Sequence, residues 1–202
     1  TLAQLQALGV TGVTADNLPA VLAAIAATDN NGTGVDSLSE LQAVVTAAAT
    51  AAASALDKIK AAADANNADT ATALADFAAA GVTGVTADNL AAISSALNST
   101  GVNGAAADTT GEVQAIVDAI NAIKANADGT ANNNATNPTQ AQYAAIGVTG
   151  VSSAAAESLL GDVVDGKPFA DVNSTDEVQA LANAVQAVHA GTATVAQLTA
   201  LG

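Results

Sequence analysis

Gly9-Val10-Thr11-Gly12-Val13 returns as Gly81-Val82-Thr83-Gly84-Val85 and again as Gly147-Val148-Thr149-Gly150-Val151, and Gly202 stands where a fourth copy opens. Repetition at long period decides the architecture first, because each repeat is one supersecondary unit that needs its neighbours to bury a face. Working back from the first glycine, position −4 is Leu5, Phe77, Tyr143 and Leu198, and position −1 is Leu8, Ala80, Ile146 and Leu201. Position −7 is Leu2, Leu74, Gln140 and Val195. Together they form one stripe of a short helix. Thr1, Thr72, Thr139 and Thr194 stand just before it as N-caps. The glycine then takes the place after the helix, where a positive φ strains every residue with a Cβ.

Working forward, the second glycine of the phrase suits a tight turn, and Thr14, Thr86 and Ser152 read as N-caps of a second helix. Its buried face is expected at Val21, Ile93 and Leu159, and a turn later at Ile25, Leu97 and Val163. Val13 with Leu18, and Val85 with Leu90, form hydrophobic staples; Ala156 breaks the pair in the third copy. Pro19 argues for a later helix start in the first copy, capped by Asp16. The third helix carries the sharpest signal. Ser37 with Glu40, Thr109 with Glu112 and Ser174 with Glu177 are capping boxes. Behind them fall Leu41, Val44 and Ala48; Val113, Ile116 and Ile120; Val178, Leu181 and Val185. Gln42, Gln114 and Gln179 recur on the side expected to face solvent. An Ala/Thr insertion of about two turns lengthens this helix in the first copy without changing its phase.

The expected fold is therefore all-α, a tandem array of three three-helix units plus the first helix of a fourth. The unit boundaries read as 1–67, 68–134, 135–192 and 193–202. Polar segments at 66–69, 128–138 and 191–192 read as connections, the Asn-rich middle one being the expected site of proteolysis. Neighbouring units are expected to touch, because cores rich in Ala bury little surface and a lone unit of this size is marginal.

Composition narrows the function. Nineteen acids stand against four Lys or Arg, for a net charge of −15. Nucleic-acid binding needs basic patches to neutralise phosphate and is disfavoured, as is an anionic membrane surface. There is no Cys, so no disulfide, thiolate metal site or thiol nucleophile exists. No long apolar run reads as a membrane span; residues 44–56 come nearest and are mostly Ala and Thr. No signal peptide is visible, and a chain that opens on Thr1 reads as a processed product or a fragment.

In layout the repeat resembles the three-helix modules of bacterial surface proteins of the albumin-binding GA type. In wording it is similar to the Ala/Thr-rich GVTGV-type repeats of very large secreted or surface-attached bacterial proteins, adhesin-like ones among them. The second resemblance covers the whole chain. It implies an extracellular, bacterial cell-surface location, a tandem array and a stalk, adhesive or sheath-like role. No phosphate loop, nucleophile elbow or zinc spacing is present, so the expected function is a non-enzymatic stalk, filament or sheath. The alternative is an adhesive module that recognises a host protein or glycan through an exposed helical face. The shared motifs are caps and turns, so no ligand-binding residue carries over.

One segment has the spacing of a calcium loop. Asp29, Asn31, Thr33, Val35, Ser37 and Glu40 stand at the ligand positions of an EF-hand loop, with Gly34 at its turn. Against it, Asp36 occupies a place that is usually apolar, Ser37 and Glu40 already form a capping box, and the other copies lack the pattern. No other cofactor is expected. His189, the single histidine, follows Val188 near a helix end and has no repeated acid beside it, so a helix-end role outweighs acid–base catalysis. Asn31, Asn98, Asn134 and Asn173 head formal glycosylation sequons, which an Asn/Thr-rich chain contains by chance. Self-association head to tail through the two termini is expected, because residues 1–9 and 194–202 differ at only two positions.

Overall fold

The computed structural model describes residues 1–202 except 30, 32, 66–71, 132, 134 and 135. Among the described residues the chain is all-helical. Its α-helices are α1 (Leu2–Ala7), α2 (Leu18–Ala26), α3 (Leu38–Asp64), α4 (Leu74–Ala79), α5 (Leu90–Leu97) and α6 (Thr110–Asn126). They continue with α7 (Gln140–Ala145), α8 (Ala154–Asp165), α9 (Thr175–His189) and α10 (Val195–Leu201). Two 3₁₀ turns, Gly104–Ala106 and Phe169–Asp171, precede α6 and α9. The sole β feature among the described residues is an isolated bridge between Asp128 and Pro168. The boundaries expected at 67/68 and 134/135 lie outside the described residues.

Helices α1, α4 and α7 end alike. Val10 N donates to Leu5 O, Val82 N to Phe77 O and Val148 N to Tyr143 O, closing the last turn through Gly9, Gly81 and Gly147 at φ +86, +80 and +82. This is the Schellman stop, and its apolar contact is met because Val10, Val82 and Val148 are buried. The three capping boxes form as read: Ser37, Thr109 and Ser174 each accept from the backbone of the Glu three residues on. Thr1, Thr139 and Thr194 cap α1, α7 and α10.

Some expected caps are corrected. Thr72 does not cap α4. Ala73 does, its N–H donating to Asp76 Oδ2 at 3.0 Å, and Thr72 is buried instead. In the first copy Asn17, not Asp16, precedes the helix, with Pro19 inside its first turn. Thr14 and Asn17 bond each other reciprocally, as a turn that leads into α2. In the third copy Ser153 rather than Ser152 caps α8. That one-residue delay turns the helix, so Leu160 and Val164 are buried where Leu159 and Val163 were expected, and the latter pair is half-buried.

The core falls into two clusters. A small one joins Leu5, Val10, Val13, Val21 and Val45. A large one runs without a break from Ala55, Ile59 and Ala63 of α3 to Leu181 and Val185 of α9. The insertion makes α3 a continuous helix of 27 residues. Its buried residues Val45, Ala52 and Ile59 recur every seven, so one stripe serves both clusters. In the segment 128–138, expected as a connection, the described residues Asn133 and Asn137 are held by hydrogen bonds. Asn133 N donates to Asp165 Oδ2, and Asn137 Nδ2 donates to Ser158 O and Asp162 Oδ1.

Candidate functional site

The recurrent phrase builds two structural devices. The first is a clamp within each copy. Thr83 N donates to Gln114 Oε1 at 2.9 Å, and Gln114 Nε2 donates back to Thr83 O at 3.1 Å. Gln42 does the same to Thr11 at 2.9 and 3.0 Å, and Gln179 to Thr149 at 2.8 and 3.2 Å. A side-chain amide has one acceptor and two donors, so it pairs with a peptide as a neighbouring strand does. The second amide hydrogen is used too, on Thr46, Asp118 or Asn183 one turn along the helix. Solvent exposure of these Gln residues was the expectation. Their recurrence was the signal of a partner, and only the fold brings Thr and Gln together across some thirty residues.

The second device is a junction between copies. Helix α4 packs on α3, α7 on α6 and α10 on α9. A Cβ at Gly81 would lie 2.7 Å from Ala20 N, and one at Gly147 would lie 2.6 Å from Ser99 Oγ. The first glycine of each later phrase therefore presses its bare backbone on the second helix, or the turn after it, of the copy before. Thr110 Oγ1 donates across to Asp16 O at 2.7 Å, and Thr175 N to Ser95 Oγ at 3.1 Å. Lys58 with Asp76 (2.8 Å) and Lys60 with Asp108 (3.9 Å) bridge α3 to α4 and to the turn before α6. Leu201 and Gly202 sit likewise beside Asp162, Val163 and Gly166 at the end of α8.

Exposure at the equivalent positions differs at the two ends of the molecule. Ala80 and Ile146, at position −1, are fully buried, whereas Leu8 is 61% exposed. Phe77 and Tyr143, at position −4, are fully buried, whereas Leu198 is 50% exposed. Thr110 and Thr175, the first residues of α6 and α9, are buried; Leu38 holds that place in α3 and is 52% exposed.

The calcium-loop residues are placed around the start of α3. Asn31 Oδ1 accepts from Thr33 N and Thr33 Oγ1, while the Glu40 carboxylate accepts from Ser37 N and Oγ. Hydrogen bonding to Glu40, and then its charge, raises Asp36 above the ordinary carboxylate range. Among the described residues no group of three His, Asp or Glu side chains converges. His189 is exposed in the last turn of α9. Asn134 lies outside the described residues. A polar cleft of about 290 Å³ lies at the junction of the second and third copies, lined by Ser95, Asn98, Ser99, Thr175, Asp176 and Gln179. Among the described residues no helix is long and apolar enough to cross a membrane.

No family model, no curated protein and no solved structure matches the chain.

Proposed function

We propose that the chain is a tandem array of three-helix units and serves as a non-enzymatic structural protein. In this reading it is a segment of an extracellular stalk, filament or sheath at a bacterial cell surface, extended by end-to-end association. The observation that carries the reading is the junction. In both internal junctions a first helix seats on the preceding third helix and a bare glycine backbone meets the preceding second-helix segment, Gly81 at the start of α2 and Gly147 just past the end of α5. Positions buried in those junctions are exposed at the outer ends, Leu8 and Leu38 at one and Leu198 at the other. Such a contact is heterologous and does not close, so repetition gives a line rather than a ring. The charge of −15 favours solubility between sides, leaving the ends as the apolar contacts.

Sedimentation velocity over a concentration series tests this. The expected result is a growing population of species heavier than the 19.2 kDa chain, with elongated frictional behaviour. A compact particle of chain mass at every concentration would contradict it.

A further inference from the structure

We infer that α10 is a displaceable plug: it occupies, on α8 and α9, the seat that α1 of a second copy of this chain takes when two copies join. This rests on the end-to-end reading above and specifies its contact. In the middle of the molecule one helix fills each seat with both sides covered, Phe77 and Ala80 in α4, Tyr143 and Ile146 in α7. The outer helices each have one side covered. Helix α1 buries Leu5 and leaves Leu8 bare; α10 rests Leu201 on the large cluster and leaves Leu198 bare. Residues 1–9 and 194–202 read TLAQLQALG and TVAQLTALG, so both helices fit one seat. Two copies cannot join with both helices in it, and one must leave.

Helix α10 is the one that leaves. It has no buried residue, whereas α1 is anchored by Leu5 in the small cluster. The exchange loses nothing at the seat, since Leu8 replaces Leu201 in kind. Gly9, whose added Cβ would meet only Leu38 of its own chain, takes the place of Gly202 at the end of α8. The exchange adds a contact that no plug supplies, because the exposed Leu38 arrives in the place that Thr175 holds in the internal junction. The occupant is a second copy because the seating of a first helix on the preceding third helix already occurs within the chain, as α4 on α3 and α7 on α6.

The experiment compares the association constant of the full chain with three full-length variants by sedimentation velocity, with helicity checked by circular dichroism. Leu8 and Leu198 are exposed, so Leu8→Glu and Leu198→Glu leave the fold in place. Thr199→Pro removes an interior helix hydrogen bond and opens α10. Leu8→Glu is expected to weaken association about tenfold or more, Thr199→Pro to strengthen it about tenfold, and Leu198→Glu to leave it unchanged. Loss of association in Leu198→Glu with none in Leu8→Glu would overturn the inference, because α10 itself would then cross into the partner. An association that Thr199→Pro fails to strengthen would also overturn it, while leaving end-to-end joining intact. No association in any of the four chains would sink the joining as well.

Discussion

At the scale of single residues, Tyr143 is held for its ring and not for its hydroxyl. The side chain is fully buried, and its hydroxyl has no hydrogen-bond partner among the described residues. Burial, with the charge of Glu157 added, pushes its pKa up. Phe77 fills the equivalent place in the second copy with the same burial. Tyr143→Phe is therefore expected to leave stability unchanged or raise it by up to about 1 kcal/mol, since an unpaired buried hydroxyl costs more than its ring edge gains. The pH dependence follows from the same shift. The folded state holds the neutral phenol while the unfolded state ionises near pH ~10, so stability is full below that and falls as pH rises above it. Urea midpoints at neutral and strongly alkaline pH should show that fall reduced in Tyr143→Phe; an equal fall in both chains would contradict the assignment. The Gln clamp makes a second expectation. Gln114→Ala loses both bonds to the Thr83 peptide and should cost about 1–2 kcal/mol in urea denaturation. Gln114→Glu keeps the acceptor but sets a carboxylate oxygen against Thr83 O and Asp118 Oδ1, so it should cost at least as much.

Elements are set by their ends. The first helices stop at the first glycine of the repeated phrase, and the phrase's glycines, first and second alike, divide into two kinds by what lies above them. Gly12 and Gly81 have nearly the same positive φ, +81 and +80, but a Cβ meets nothing within 4 Å at Gly12 and the backbone of Ala20 at Gly81. Gly12→Ala should therefore cost only the left-handed strain, about 1–2 kcal/mol, and Gly81→Ala clearly more. Equal losses in thermal or urea unfolding would mean that the close approach at the junction does not matter. These stops, and the three capping boxes, were legible in the sequence because their physics spans four to six residues. The misread caps also have local reasons. Ser152 and Ser153 are chemically alike, and only the packing of Leu160 and Val164 decides between them. Asp76 serves the backbone of Ala73 and Lys58 of α3 at once, and that second partner lies eighteen residues away. The Gln–Thr clamps and the glycine contacts with Ala20 and Ser99 were illegible for the same reason, since each joins positions that only the fold brings together.

For the whole molecule, Ala-rich helices build two core clusters, the larger of which is shared across copies. Helix α3 carries the small cluster on its first half and the large one on its second, while α4 and α7 fill the spaces between. In the proposed array the outermost elements leave interface positions bare, as at Leu8 and Leu38. That pattern is the ground for reading the chain as a piece of something that extends. Hydrogen–deuterium exchange of the full chain, dilute and then concentrated, tests it most directly, because it reports where copies touch as well as whether they do. The expected result is slower exchange, on concentration, at residues 8–12, at the start of α3 and at the end of α8, with faster exchange in α10 as it leaves its seat. Exchange that ignores concentration, or protection confined to the outer face of α3 around Ala43, Ala47 and Ala51, would contradict the account.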